Sequence, residues 1–280
     1  MKKPLLVGLA IAAQLAHPAC ARHEPAPGQQ SPVAPPPGAD GPSPAQSAAV
    51  AITAFGERVE ERERMVRTTM EARDIRNQRV LEAMRRVPRH GFVPKRVRHE
   101  AYADHPLPIG GGQTISQPYI VAFMTQAARP GPEDRCLEIG TGSGYQAAVL
   151  AELCGSVYSI EYLPEVARVG RENLRRLGYA PERVQLRVGD GYRGWPEASP
   201  FQVILVTAAP ERVPPPLLQQ LDVGGRLVAP VGPQSRYQEL ELWTRRRPGS
   251  KRDAFEVERM MTVRFVPFLG DELEPSAPDR

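Results

Sequence analysis

The stretch that most constrains the fold of this chain joins a short apolar segment to a helical segment through three glycines. The apolar segment runs from Cys136 to Ile139, and the helical pattern runs from Tyr145 to Leu153. The spacing between them is Glu138-x-Gly140-x-Gly142-x-Gly144. A buried strand that enters a helix through glycines lets a ligand contact bare backbone at the carboxyl edge of a sheet. This stretch therefore predicts an α/β fold with a ligand site at the turn.

The spacing of these glycines indicates the class of ligand. A dinucleotide site has the pattern Gly-x-Gly-x-x-Gly, which holds a pyrophosphate at the helix N-terminus, and this chain departs from it. Glu138, two residues before the first glycine, favours a ligand that carries a cationic group and no phosphate. S-adenosylmethionine, with its sulfonium and ammonium groups, fits that description. A purely structural glycine turn is the alternative.

Strand and helix patterns alternate after this turn and predict a mostly parallel sheet. We expect strands at Ser156 to Ile160, Val184 to Val188, Phe201 to Val206 and Arg226 to Pro230. A helix is expected from Pro164 to Leu177. Two later apolar runs, Leu240 to Thr244 and Met261 to Phe268, predict an antiparallel pair that completes the sheet.

Acidic residues follow two of the predicted strands. Glu161 ends one strand about twenty residues beyond the glycine turn, where a carboxylate can accept hydrogen bonds from both ribose hydroxyls. Asp190 and Gly191 follow the next strand. Asp190 could accept a hydrogen bond from an adenine amino group, or it could only shape a turn.

A second glycine-rich segment lies upstream, where Gly110, Gly111 and Gly112 precede the sequence Gln113-Thr114-Ile115-Ser116-Gln117-Pro118-Tyr119. The phosphate-binding pattern Gly-x-x-x-x-Gly-Lys-[Ser/Thr] is absent from it. A helix is expected from Tyr119 to Ala128. From the sequence, Ser116 could cap that helix or contact a ligand.

Composition excludes several other classes of function. A hydrophobic content of 41% and a charged content of 24% are typical of a soluble globular chain. The formal net charge of +4 is too small for this length to indicate a nucleic-acid partner. The three cysteines form no Cys-x-x-Cys pair and the histidines form no ligand pair, so no metal site is predicted.

The N-terminal residues predict export. Lys2 and Lys3 precede an apolar run from Leu5 to Ala16, and Ala19-Cys20-Ala21 offers a cleavage site. We therefore predict a signal peptide over residues 1–21, with a lipid anchor at Cys20 as the alternative. Residues 22–54 are rich in Pro and Ala and predict a disordered linker. A folded domain is expected over residues 55–270, with a helical part at 55–105 and a flexible tail at 271–280.

Several segments together resemble the protein-L-isoaspartate O-methyltransferase family, within a region from Val80 to Leu269. These segments are Pro106 to Met124, Leu137 to Gln146, Gly189 to Trp195, Val206 to Pro210 and Arg264 to Pro267. The segment from Gln113 to Tyr119 is the specific part, since many methyltransferases share the glycine motif. The resemblance implies a Rossmann-like fold in which S-adenosyl-L-methionine donates a methyl group to the α-carboxylate of L-isoaspartyl residues in damaged proteins.

The resemblance also implies roles for individual residues. Ser116 falls on the active-site serine of the family, and Ile115, Ser116 and Val266 lie beside the substrate peptide. The implied cofactor-binding residues are Thr114, Gln117, Glu138, Gly140, Gly142, Gly144, Glu161, Asp190 and Gly191. Proteins and peptides with isoaspartyl residues are the expected partners, and a monomer is the expected state. The alternatives are another S-adenosylmethionine-dependent methyltransferase, acting on a small molecule or RNA, and a non-enzymatic α/β binding module.

Two expectations concern the compartment in which the chain works. Members of this family usually work in the cytosol, where the cofactor is made, so a cytoplasmic chain that starts at Met65 is the alternative to export. Cys136 begins a strand and Cys154 ends the helix that returns beside it, so both should lie at the non-catalytic end of the sheet. We expect two buried free thiols there. A disulfide is the alternative if the domain leaves the cytosol.

Overall fold

A computed structural model of the protein describes residues 53–249 and 251–270. The predicted signal peptide at residues 1–21, nearly all of the predicted linker at 22–54, and the predicted tail at 271–280 lie outside the described residues. Among the residues that are described, no helix is both long and apolar enough to cross a membrane.

A seven-stranded sheet forms the centre of the described domain. Its strands in chain order are β3 (Arg135–Ile139), β4 (Ser156–Glu161), β5 (Val184–Val188), β6 (Phe201–Val206), β7 (Leu221–Val231), β8 (Gln238–Arg245) and β9 (Phe255–Val263). Their order across the sheet is β5-β4-β3-β6-β7-β8-β9. The first five strands in this spatial order, which are β5, β4, β3, β6 and β7, pair in parallel with one another. β8 is antiparallel to both of its neighbours, β7 and β9. This arrangement confirms the predicted Rossmann-like fold.

Four helices of the described domain flank the sheet, and the last three of them connect its parallel strands. They are α3 (Pro118–Ala128), α4 (Tyr145–Ala151), α5 (Pro164–Arg176) and α6 (Pro215–Gln220). Three of them, α3, α5 and α6, begin with a proline, whose fixed φ suits the first turn and whose missing N–H would have no partner there. The parallel strands β3 and β6 are apolar over most of their length and buried, as strands covered on both faces should be.

The predicted strands at Val184–Val188 and Phe201–Val206 are confirmed at both ends. Two strands differ from prediction by five residues or more at one end or both. β7 begins at Leu221, five residues before the predicted start, and passes through an irregularity opposite β6. The last strand was misplaced, because β9 spans Phe255–Val263 and not Met261 to Phe268. Its alternation of polar and apolar residues is weak, so the more apolar run just after it gave the stronger sequence pattern.

The N-terminal part contains the helices α1 (Val59–Met65), continued by a π-helical turn at Val66–Glu71, and α2 (Gln78–Arg86). Arg62 on α1 is a charged residue, yet it is only 3% exposed. Its hydrogen bonds connect α1 to neighbouring segments. Its guanidinium donates to the carbonyl oxygens of Arg85 at 2.7 Å, Glu57 at 2.9 Å and Phe55 at 2.6 Å. The segment from Phe55 to Arg62 is therefore an integral part of the domain.

A small hairpin that the sequence analysis did not predict follows this part. Its strands are β1 (Leu107–Gly110) and β2 (Gln113–Ile115), which pair antiparallel. Gly111 and Gly112 form the turn with φ values of +58° and +71°. A two-residue hairpin turn needs positive φ at both positions, which glycine adopts without steric cost. The three consecutive glycines therefore build a turn that delivers the residues after it to the sheet.

Cys136 and Cys154 form a disulfide, with their Cα atoms 6.4 Å apart. Both residues are completely buried. The expectation of two free thiols is therefore wrong, and the alternative of a disulfide is correct. The bond joins the start of β3 to the residues just after α4, at the end of the sheet opposite to the glycine turn.

Candidate active site

A cavity opens at the carboxyl ends of β3, β4 and β6. Strand order reverses between β3 and β6, and this switch point is where open α/β sheets bind ligands. The predicted residues that line the cavity are Thr114, Ile115, Ser116, Glu138, Gly140, Gly142, Glu161, Gly191 and Val266. Among the predicted site residues, Gln117, Gly144 and Asp190 do not line the cavity.

Glu138 lies at the base of this cavity and is completely buried. Its Oε2 accepts a hydrogen bond from the hydroxyl of Ser159 on the neighbouring strand. Its Oε1 has no hydrogen-bond partner within the described residues. Burial raises the pKa of Glu138 to about 8, and the nearby charge of Glu161 adds to the increase while Ser159 opposes it. An unpaired buried carboxylate oxygen fits a ligand that brings a cation.

The glycine turn offers little to an anion, because most of its amides are already bonded. The amides of Gly140 and Thr141 donate to the carbonyl oxygen of Ile160 at 2.8 and 3.2 Å. The amide of Gly142 donates to Glu161, and that of Gly144 donates to the carbonyl oxygen of Thr141 at 2.8 Å. These bonds agree with the inference from spacing that the ligand carries no phosphate at this turn.

Glu161 ends β4 and is 7% exposed. Its Oε2 accepts from the amide of Gly142 at 2.9 Å, and its Oε1 accepts from the amide of Leu163 at 3.1 Å. A carboxylate has about four acceptor positions, so both oxygens can also accept from ligand hydroxyls. The side chain thus holds the glycine turn in place while facing the cavity, as the ribose role requires.

The ionisable side chains Glu138 and Glu161 make the lining of the cavity acidic. Glu138 and Glu161 are the acidic residues that line it, and the described lining residues include no Lys, Arg or His. Burial keeps Glu138 mostly protonated at pH 7 in the empty cavity, so the charge there comes mainly from Glu161. A ligand with a sulfonium and an ammonium group would compensate Glu161 and favour ionisation of Glu138, whereas a dinucleotide pyrophosphate would be repelled. The residues present therefore fit S-adenosyl-L-methionine.

The β1–β2 hairpin and the residue after it form a second wall of the cavity. Thr114 and Ile115 are on β2 and Ser116 follows directly, so all three reach the cavity. Ile115 is buried, and Ser116 is half-buried with no hydrogen bond to its hydroxyl within the described residues. The hydroxyl of Ser116 is therefore free to bind a ligand.

Asp104 is the residue that caps α3, so the capping role considered for Ser116 is wrong. Asp104 Oδ1 accepts from the amide of Tyr119 at 3.0 Å. Its Oδ2 accepts from Gln117 Nε2 at 2.8 Å, which holds the Gln117 side chain against Asp104. Asp104 is far from the helix in sequence, so no local pattern could have indicated it.

Asp190 shapes the turn after β5, and its contact with an adenine amino group stays a prediction. Its Oδ1 accepts from the amide of Tyr192 at 2.9 Å, and its buried Oδ2 lies 3.5 Å from Arg193 Nε without forming a hydrogen bond. Gly191 lines the cavity, where it packs so closely against Ile139 and Phe268 that a Cβ atom there would overlap them. Gly144 has φ of +89° and precedes α4, packed against α5.

Val266 was predicted to lie in the C-terminal strand, but that strand ends at Val263. Val266 instead lies in the segment that follows, and its carbonyl oxygen accepts from the amide of Ala209 at 2.8 Å. The amide of Phe268 donates back to the carbonyl oxygen of Ala209 at 3.1 Å. These bonds place the segment beside the end of β6, where Val266 lines the cavity.

Sequence reasoning missed three polar residues around the glycine turn. Ser159 bridges Glu138 and Thr141, whose hydroxyl lies 2.6 Å from that of Ser159. Thr207 Oγ1 donates to the carbonyl oxygens of Ile139 at 3.0 Å and Gly140 at 2.8 Å. A Cβ atom on Gly140 would lie 2.5 Å from Thr207 Oγ1, so that position requires glycine. In the sequence, the only indication of a role at the site was the position of Thr207 directly after the central strand β6.

Comparison with known proteins agrees with this site. The family model for protein-L-isoaspartate(D-aspartate) O-methyltransferase matches residues 60–273. The protein-L-isoaspartate O-methyltransferase of Opitutus terrae is 59% identical over 215 residues, covering 77% of this chain and 89% of that protein. The enzyme of the same name from Gloeobacter violaceus is 52% identical over 208 residues, covering 74% of this chain and 98% of that protein.

Solved structures give the same result for the fold. A protein-L-isoaspartate O-methyltransferase structure is 30% identical, with a TM-score of 0.66, covering 75% of this chain and 66% of that chain. A Plasmodium falciparum protein solved with S-adenosyl-L-homocysteine is 22% identical, with a TM-score of 0.63, covering 76% of this chain and 98% of that chain. The match to the family model and the curated relatives carries the assignment. This chain belongs to the protein-L-isoaspartate(D-aspartate) O-methyltransferase family.

Proposed function

We propose that this chain transfers a methyl group from S-adenosyl-L-methionine to the α-carboxylate of L-isoaspartyl residues in damaged proteins. The observation that carries the proposal is the position of Ser116. Its unpaired hydroxyl shares one cavity with the carboxylates of Glu138 and Glu161. One wall can therefore hold a cationic methyl donor while the other holds the acceptor.

The reaction needs alignment more than acid or base catalysis. S-adenosyl-L-methionine supplies a methyl group on a sulfonium: the new O–CH₃ bond uses an electron pair of the acceptor carboxylate, and the broken C–S bond leaves its pair on sulfur. Both partners are already in their reactive states at pH 7, so no proton transfer is required. The residues of this chain have to hold the reacting atoms about 3–3.5 Å apart and exclude water.

Ser116 is the residue we assign to the acceptor. Its hydroxyl would donate a hydrogen bond to the carboxylate or to a flanking peptide group and so orient the attacking oxygen. Ile115 and Val266 would supply apolar contact to the peptide on either side. A covalent role for Ser116 is not needed, because the acceptor is itself the nucleophile.

Glu138 and Glu161 are assigned to the methyl donor. The unpaired Oε1 of Glu138 suits the ammonium group, and Glu161 suits the ribose hydroxyls. Gly140, Gly142 and Gly191 would let the donor approach the backbone, and Thr114 would border both ligands. Since all of these groups come from one chain, we also expect a monomer.

A paired-peptide assay tests this proposal. The purified chain would be incubated with methyl-labelled S-adenosyl-L-methionine and two peptides that differ only in carrying isoaspartate or aspartate. We expect a base-labile methyl ester on the isoaspartyl peptide alone. Equal labelling of both peptides, or labelling of RNA or small molecules in place of the peptide, would overturn the assignment of substrate.

We further propose that the chain is exported after cleavage of a signal peptide, with lipid attachment at Cys20 as the alternative. Two observations support export. The first is the Cys136–Cys154 disulfide, since disulfides persist mainly outside the cytosol. The second is the role of Arg62 in the domain, because a chain that started at Met65 would lose α1 and its bonds.

A further inference from the structure

A second candidate site centres on Arg98, whose guanidinium forms no hydrogen bond or salt bridge with the described residues. Arg98 lies in the 3₁₀ turn Lys95–Glu100 and is half-buried. Its Nε atom is buried without a hydrogen bond. Within residues 53–249 and 251–270, no carboxylate forms a salt bridge with it. A partly desolvated charge without a partner is costly, so this position is suited to an anionic ligand.

Arg176 on α5 is the neighbour of this group. The two arginines line the same two adjoining cavities. Burial and then the positive charge of Arg98 lower the pKa of Arg176. Arg176 Nη2 donates to the carbonyl oxygen of Gly91 and to Asn173 Oδ1 at 3.1 Å, but both acceptors are uncharged. Two guanidinium groups therefore line the same cavities, and neither forms a salt bridge within the described part of the chain.

The other charged groups nearby do not compensate them. Glu57 is an exposed carboxylate that lines one of the two cavities, whereas no acidic residue of the described chain lines the other. Glu172 raises the pKa of Arg176, but its effect is smaller than those of burial and of Arg98. Glu172 forms its ion pair with Arg168. Lys95 lines the other cavity and adds a third positive charge.

The cavity on the Lys95 side has a volume of about 540 Å³. Pro94, Ile109 and Val169 give it an apolar wall beside the arginines, and each of these three is partly exposed. The cavity is thus shaped to hold an anionic head with an attached organic group. It is separate from the candidate active site, because none of the residues that line it lines that site.

We propose that Arg98 and Arg176 form a binding site for a phosphate group, either free phosphate or a phosphate monoester. Guanidinium groups bind phosphate oxygens through paired charge-assisted hydrogen bonds, and two of them match the double negative charge. Bound phosphate would satisfy the buried Nε of Arg98 and remove the repulsion between the two arginines.

The proposed phosphate site is adjacent to the glycine turn of the active site. Asn173, which accepts from Arg176, donates through Nδ2 to the carbonyl oxygen of Ser143 at 3.1 Å. Ile109 lines the phosphate cavity and also lies beside Gly142. Phosphate binding would therefore be measured with the active site saturated, so that the two sites are distinguished.

Isothermal titration calorimetry of the full chain at low ionic strength, with saturating S-adenosyl-L-homocysteine, tests the proposal. Inorganic phosphate and phenyl phosphate are the two probes. Arg98→Gln is the test variant. Arg96→Gln is the matched control, because Arg96 lies in the same turn, is exposed, and lines neither cavity.

We expect one saturable site per chain, weakened about tenfold or more in Arg98→Gln and unchanged in Arg96→Gln. Tighter binding of phenyl phosphate would identify a phosphate monoester as the ligand, and equal binding would identify free phosphate. Absence of saturable binding to the wild-type chain would overturn the proposal. So would equal binding by Arg98→Gln, provided that circular dichroism shows both variants to be folded.

Discussion

The Oε2 atom of Glu161 accepts a hydrogen bond of 2.9 Å from the amide of Gly142. This bond connects the end of β4 to the middle of the glycine turn after β3, two strands that pair in parallel. One carboxylate thus shapes the turn and faces the cavity that the turn encloses. Its removal should affect both the turn and the ligand.

Glu161→Ala should weaken S-adenosyl-L-methionine binding by roughly 2 kcal/mol, the worth of a charge-assisted hydrogen bond. Calorimetry on the purified domain measures the change. Glu165→Ala is a suitable control, because Glu165 is an exposed carboxylate one turn away on α5. Unchanged affinity in Glu161→Ala, or binding of NAD by the wild-type chain, would contradict the proposed role.

Ser116→Ala should lower the rate of methyl transfer to an isoaspartyl peptide while leaving cofactor affinity nearly unchanged. The physical reason is that the hydroxyl makes no bond within the described protein, so its removal costs a substrate contact and no structural one. We expect a loss of about tenfold, equivalent to one hydrogen bond of about 1.4 kcal/mol. Steady-state kinetics and calorimetry give the two readouts. A matching loss of cofactor affinity would instead assign Ser116 to the methyl donor.

Glu138→Gln should change how stability depends on pH in the absence of ligand. Burial raises the pKa of Glu138 to about 8, from about 4.5 in the unfolded chain. The folded protein therefore retains a proton between these values that the unfolded chain releases. The stabilisation from Glu138 is fully present below pH 4.5 and is lost as pH rises through 8.

Relative to wild type, the free energy of unfolding of Glu138→Gln should therefore increase between pH 5 and 8, by at most about 1.4 kcal/mol per pH unit. Urea denaturation at several pH values measures it. Glu165→Gln, at an exposed site, should follow the wild-type profile. Parallel profiles for wild type and Glu138→Gln would show that the buried carboxyl keeps an ordinary pKa.

Removal of the disulfide by Cys136→Ala together with Cys154→Ala should lower the free energy of unfolding by about 3 kcal/mol, as expected for a closed loop of this length. The loop spans 18 residues and includes the glycine turn, so the bond restricts the unfolded chain around the site. Denaturation with and without reductant measures the effect. Reductant should destabilise wild type and leave the double variant unchanged; equal stability of the two oxidised proteins would contradict this account.

Mass spectrometry of the N-terminus of the native protein tests export. A mature chain that begins near Arg22, or one that carries lipid on Cys20, is expected from the charged, apolar and Ala-Cys-Ala segments in order. A chain that begins at Met65 would make this a cytoplasmic enzyme. Such a chain would also lack α1, and we expect it to be less stable because the guanidinium bonds of Arg62 are lost.

Much of the fold could be predicted because it depends on local patterns. The strands at Val184–Val188 and Phe201–Val206 follow from short apolar runs between turn residues, and α5 follows from Pro164 and Gly178 at its ends. The spacing around Glu138 also sufficed to predict the class of ligand. Each of these features is encoded within about ten to twenty consecutive residues, which is the range over which backbone periodicity acts.

Contacts between distant segments could not be predicted in this way. Ser159 reaches Glu138 only because β4 pairs with β3 in one particular register, and Asp104 caps α3 from outside that helix. In both cases a hydrogen bond with another segment decided the orientation of the side chain.

The sequence by itself determined a glycine turn after a buried strand, and it predicted a cationic ligand beside Glu138 with its ribose on Glu161. Only the tertiary structure decided that Ser116 faces that turn, that Val266 reaches it from a segment beyond β9, and that Cys136 and Cys154 are bonded. The physical reason is that local periodicity depends on neighbours along the chain. The composition of a site depends on strand order and packing, which join residues far apart in sequence.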